Sequence, residues 1–174
     1  MHPGAERPRR YTEYSPCGPV LQAPAAQHGN RGVMKARIKW VEDVTFAGES
    51  GSGHTVVMDG PPEHGGHNRG VRPMEMILLG LGGCTAFDVI HILGKSRQPV
   101  TDCEVELSAE RAETEPKVFT KIHVHFIVTG DGLDEKRVAR AVSLSAEKYC
   151  SASIMLGRAG VEITHDYEIR QAAD

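Results

Sequence analysis

From Lys35 onward, polar and apolar positions alternate. Lys35, Arg37 and Lys39 fall on one side and Ala36, Ile38 and Trp40 on the other, which is the period of a strand. A second strand is predicted at about Val44–Ala47. The turn GESGSG follows, and His54–Asp59 forms a third strand. Short turns between such runs predict a meander. Residues 60–72, GPPEHGGHNRGVR, read as a loop. The pattern changes over residues 71–95, VRPMEMILLGLGGCTAFDVIHILGK, where apolar residues occur nearly all round a helix. Pro73 suits the first helical turn, and Glu75 there complements the helix dipole. A helix apolar on most sides is expected to be buried.

The second half returns to alternation. Cys103, Val105, Leu107 and Ala109 oppose Asp102, Glu104, Glu106 and Ser108. ERAETEPK joins this strand to Phe119–Val128. There Ile122, Val124, Phe126 and Val128 share one face, and Lys121, His123, His125 and Ile127 share the other. Leu133–Tyr149 reads as an amphipathic helix with Asp134 as its N-cap. SASIML continues as a short apolar helix ending at Gly157, and Val161–Ile169 is the last strand. Strands and helices segregate along the chain, which predicts an α+β fold with mostly antiparallel sheets around the central helix. That helix is too apolar for the surface of a small monomer, so it is expected under a sheet and against a second subunit, in a homodimer.

Composition narrows the picture. A length of 174 residues suits one domain. Residues 1–33 are rich in Pro, Gly, Ala, Arg and Gln without a period and read as a disordered extension; residues 34–174 form the domain. A net charge of −3 and 5% aromatic residues argue against nucleic acid as a partner. The most apolar run, residues 74–93, is broken by Glu75, Asp88 and His91, so no membrane association is expected. The start of the chain has no apolar signal region, and a cytoplasmic location is the expectation.

The candidate chemistry is sulfur chemistry. Gly80, Gly82 and Gly83 stand just before Cys84. Each costs a helix interior about 0.5–1 kcal/mol relative to alanine. Two readings explain them: close approach of another backbone or a substrate, or tight helix packing. Cys84 reads as a reactive thiol, and Cys150, at the end of the second helix, is its candidate resolving partner. A second cysteine returns an oxidised thiol by forming a disulfide. Cys103 falls on an apolar strand face and reads as core; Cys17 is assigned no role. His64 and His67 lack a carboxylate or cysteine at a metal-binding spacing and read as solvent-exposed. His123 and His125, at i and i+2 of one strand, can chelate a metal, but no third ligand is identifiable. A half-exposed polar face is the preferred reading, and no metal or cofactor is expected.

The succession of meander, PMEMILLGLGGCTAFDVI, two strands, LSAEKYCSASIML and a final strand resembles the OsmC/Ohr family of thiol peroxidases. KWVEDVTFAGESGSGH, VRPMEM, FIVTG and SAEKYCS liken it to the YhfA-like branch. The resemblance covers about residues 34–170, and the 66-residue separation of the two cysteines (150 − 84) fits it. It implies an intertwined homodimer in which both subunits line each active site. It implies that Cys84 attacks a hydroperoxide as a thiolate, that Cys150 closes the disulfide, and that a dithiol reductant reopens it, without metal or cofactor. In the peroxidases a glutamate directly after the proline orients an arginine. Here Met74 stands after Pro73 and Glu75 is one position on, and the turn that normally carries the arginine reads GESGSG. Glu75 and Arg72 are the supporting candidates, with Arg69 and Arg37 as further cations. The departures keep a second reading open: a redox-sensing or small-molecule- or acyl-binding protein of the same fold with little turnover.

Overall fold

A computed structural model describes residues 33–172. The expected disordered extension, except Val33, and Cys17 lie outside the described residues. The chain forms two three-stranded sheets and three α-helices, in the order β1 (Ala36–Glu42), β2 (Thr45–Ser50), β3 (Thr55–Met58), α1 (Pro73–Lys95), β4 (Val100–Arg111), β5 (Phe119–Gly130), α2 (Glu135–Leu144), α3 (Ser151–Arg158) and β6 (Glu162–Arg170). The first sheet is the expected antiparallel meander β1–β2–β3.

The second sheet has the order β4–β5–β6, and β6 pairs parallel to β5. This is the exception among four pairings, the other three being antiparallel. The reason is topological: the α2–α3 segment crosses over the sheet and returns the chain to the end from which β5 started, as parallel neighbours require. The inner face of this sheet carries Ile122, Val124, Phe126 and Val128, and the core closes over them with Leu81, Val89 and Leu93 of α1 and Val138, Ala141 and Val142 of α2. Asp134 caps α2 as its sequence foretells, its carboxylate accepting from the amides of Lys136 and Arg137.

The loop between the meander and α1 is tied down by one carboxylate. Asp59 is 1% exposed and accepts from Thr45 Oγ1 at 3.1 Å, Gly60 N at 2.8 Å, His67 N at 2.9 Å and Arg69 N at 3.0 Å. These donors, led by the Arg69 amide, hold its pKa down at about 2, because each favours the charged form. The loop turns so tightly that a Cβ on Gly66 would lie 1.8 Å from the Gly60 carbonyl oxygen, so only glycine fits. His64 and His67 are exposed, as expected; the His67 ring pairs with Asp43 at 3.0 Å.

Within one chain α1 is buried on one side only. Leu81, Thr85, Val89 and Leu93, spaced four apart, face the core. Leu79 and Phe87 stay 57% and 70% exposed, and Ile77 and Ile90 are open beside them. The helix is long and apolar enough to cross a membrane by length and composition, yet its buried side packs on β4, α2 and α3. The meander also leaves Ile38, Trp40, Val41 and Val57 uncovered. A groove of about 350 Å³, lined by Ile38, Val56, Met58 and Met76, runs along it.

Candidate active site at Cys84 and Cys150

Cys84 sits at mid-length of α1, with its side chain half-buried. Cys150 is reached from α2 through one turn of π-helix, Ser145–Tyr149, closed by the Cys150 amide donating to the Ser145 carbonyl at 2.9 Å. The extra residue of a π turn re-aims whatever follows it, and such turns recur at functional sites. Here it ends the amphipathic helix five residues early relative to the sequence pattern and turns Cys150 inward. Cys150 then caps α3, its sulfur accepting from Ser153 N at 3.4 Å.

The two sulfurs and a carboxylate oxygen of Asp88 lie within 4.8 Å of one another. A disulfide needs a sulfur–sulfur distance of about 2.0 Å, so closure requires only a local shift of the two side chains. The surroundings differ. Cys150 is fully buried, and burial pushes its thiol up to about 11, against the opposing pull of the Ser153 amide. It stays a thiol at neutral pH. Cys84 is the accessible member, because the positions before it are open: a Cβ on Gly80 or Gly83 would meet nothing within 4 Å. Gly82 differs, since its Cβ would come within 2.8 Å of Leu107 Cδ1. The glycines therefore divide: Gly82 allows close packing on β4, and Gly80 and Gly83 leave an open face within the chain.

A buried polar link fixes the two cysteine-bearing segments against each other. Ser145 Oγ lies 2.8 Å from Thr85 Oγ1, 3.1 Å from the Thr85 carbonyl oxygen and 3.5 Å from Asp88 Oδ2. Ser145 and Thr85 are 0% and 2% exposed. Ser153 adds a bond from its hydroxyl to the Ala146 carbonyl at 3.0 Å. Sequence reasoning passes over Thr85, Asp88, Ser145 and Ser153. One signal was available: Asp88 stands four residues after Cys84, on the same helix face.

Glu75 and Arg72 lie elsewhere in the chain. At 1.5 Å per residue, α1 separates Glu75 from Cys84 by about 13 Å along its axis. Instead Glu75 closes the helix start, its carboxylate accepting from the Arg72 amide at 2.9 Å. Arg72 Nη1 is buried without a hydrogen-bond partner. Arg69 pairs with Glu42, and Arg37 with Glu49 at 3.4 Å. Among the described residues no lysine or arginine hydrogen-bonds to Cys84. Cys103 is half-buried on β4 against the core, as its face foretold, and its thiol is pushed up by burial.

Comparison with known proteins identifies the family and the fold. A family model described as OsmC-like protein matches residues 66–166. Protein YhfA of Escherichia coli strain K12 is 56% identical over 136 residues, covering 78% of this chain and 98% of that protein. A crystal structure of a hypothetical protein from Aquifex aeolicus VF5 superposes with a TM-score of 0.70 at 30% identity, over 81% of this chain and 98% of that one. An organic hydroperoxide resistance protein OsmC from Legionella pneumophila has the same fold at 17% identity, with a TM-score of 0.61 over 80% of this chain and 99% of that one. In sequence and in fold alike, the chain belongs to the OsmC-like protein family.

Proposed function

We propose that this protein is a cysteine-based peroxidase that reduces organic hydroperoxides. One observation carries the reading: an accessible thiol on a rigid helix beside a fully buried second thiol, within reach of a disulfide. The name of the Legionella pneumophila neighbour, an organic hydroperoxide resistance protein, points the same way. The Cys84 thiolate attacks the terminal oxygen of ROOH; the O–O bond breaks, the alkoxide takes up a proton from solvent and leaves as ROH, and Cys84 becomes a sulfenic acid. The Cys150 thiol then displaces water and forms the Cys84–Cys150 disulfide. A dithiol reductant supplies two electrons and two protons and restores both thiols. Keeping Cys150 protonated suits the order of events, because a thiol is a poor first nucleophile and Cys150 then waits for the sulfenic acid.

The open apolar side of α1 and the uncovered meander support a homodimer, with the second copy covering both. A peroxide arriving at Gly80 and Gly83 would then enter a cleft with apolar walls, which suits an alkyl chain better than hydrogen peroxide. A cytoplasmic setting, where dithiol reductants keep thiols reduced, fits this cycle. The lack of a hydrogen bond from a cation to Cys84 among the described residues favours the second reading, a sensor or binder that turns over slowly. Stopped-flow mixing of reduced protein with cumene hydroperoxide separates the two. Rapid thiol loss that vanishes in Cys84→Ser and stops at the sulfenic acid in Cys150→Ser is the expected result. No reaction over minutes would overturn the peroxidase reading.

A further inference from the structure

We propose that His123, His125 and Asp166 form a binding site for a divalent transition-metal ion on the outer face of the β4–β5–β6 sheet, remote in role from the two thiols. The alternation of β5 aims both histidines away from the core. The parallel register then sets Thr164 opposite His123 and Asp166 opposite His125. This supplies the third ligand that the sequence alone did not reveal. One ligand atom from each of the three residues lies within 4.8 Å of the others. Asp166 Oδ1 stands between the rings, 3.3 Å from His123 Nε2 and 2.5 Å from His125 Nδ1. An ion with bonds of about 2.1 Å separates its ligand atoms by roughly 3.0–3.4 Å, so a set already gathered within 4.8 Å closes on one by side-chain rotation.

Three further features fit a metal better than a solvated face. Thr164 Oγ1 engages His123 Nδ1 at 2.8 Å, which leaves Nε2 as the nitrogen facing Asp166. Such an outer partner is what orients a ligating imidazole. The ligands stand on adjacent strands of one sheet, with β5 central, so their spacing is fixed by backbone pairing. The surrounding charges are acidic: Glu106 lies opposite His125 on β4, and Glu168 Oε2 is 3.9 Å from His125 Nε2 while pairing with Arg170. Two imidazoles and a carboxylate select zinc, nickel, cobalt or copper over magnesium or calcium. Without the ion the same groups share a proton, and Asp166 holds His125 above its ordinary pKa. Metal and proton therefore compete.

The site stands independently of the peroxidase reading. Its test is calorimetric titration of tag-free, reduced, full-length protein with Co²⁺ and Ni²⁺, with the cobalt spectrum recorded. Controls are the H123Q/H125Q, D166N, T164V and C84S/C150S variants. We expect one ion per chain, bound with the weak d–d bands of nitrogen and oxygen ligands and unaffected by C84S/C150S. Losing an outer-shell partner alone costs about 10–100-fold, so T164V is expected in that range and H123Q/H125Q beyond about 100-fold. Binding unchanged in H123Q/H125Q would overturn the proposal. So would a thiolate-to-cobalt charge-transfer band that disappears with C84S/C150S, because the ion would then sit at Cys84, Asp88 and Cys150.

Discussion

Replacing Ser145 by alanine tests whether a buried hydroxyl pair positions the two sulfurs. The Ser145 hydroxyl has one proton and faces Thr85 Oγ1, the Thr85 carbonyl and Asp88. Alanine removes it in a site that is 0% exposed and leaves Thr85 Oγ1 without that partner. An orphaned buried polar group costs about 1–3 kcal/mol. Thr85 can turn its hydroxyl to the carbonyl four residues back in its own helix, which offsets part of this, so the expected loss is about 1–2 kcal/mol. Thr85→Val is expected to cost a similar amount. The double variant removes both hydroxyls and orphans neither, so it is expected to fall short of the sum by about 1 kcal/mol. Urea unfolding of reduced protein at fixed protomer concentration measures each term. Because the link also holds the π turn against α1, disulfide closure in Ser145→Ala is expected to slow about tenfold or more, the equivalent of 1.4 kcal/mol on the barrier. Single-variant losses that add to within about 0.3 kcal/mol, with an unchanged closure rate, would refute the reasoning.

Gly80→Leu and Gly83→Leu probe the open face of α1. Neither new side chain starts with a clash inside the chain, and leucine favours helix by about 0.5–1 kcal/mol over glycine. Helix content by circular dichroism is expected to hold while sedimentation shows a dimer weakened at least tenfold; an unchanged dimer constant would mean that no chain packs there. Asp59→Asn probes the loop. Because the folded pKa of Asp59 is lowered from 3.8 to about 2, its contribution is present above the higher value and is lost as pH falls through the lower one. Wild type is expected to lose stability between those two values, and Asp59→Asn is expected to lack that segment of the acid profile and to be cut earlier by protease within residues 60–72. An acid profile that matches wild type would count against Asp59 as the group that holds the loop.

Much of this architecture is written in the alternation of the chain. The inward set Ile122, Val124, Phe126 and Val128 and the cap at Asp134 follow from local rules and stand where those rules put them. The direction of β6 does not follow, because an inward Ile163, Tyr167 and Ile169 looks the same whether the strand runs parallel or antiparallel. The role of Asp59 was hidden for a different reason: three of its four donors are backbone amides, which leave no mark in residue type. Residues of the site that are remote in sequence were equally silent. Thr85 and Ser145 meet across 60 positions, and Asp166 meets His125 across 41. The cysteine pair could be named as a candidate from its glycine-rich and helix-end settings, and the resemblance to a known family gave it a role; the π turn that aims Cys150, in contrast, breaks the helical period that the sequence continues through Tyr149.

The most direct measurement is chemical. Reduced protein receives one equivalent of cumene hydroperoxide per chain and is quenched with an alkylating reagent. Its peptides are then weighed without reduction. A single cross-linked species joining the Cys84 and Cys150 peptides of one chain, with Cys103 alkylated, is the predicted result. Cys84 recovered as sulfinic acid beside a free Cys150, or both thiols recovered alkylated, would contradict the assignment of these two sulfurs to one redox centre.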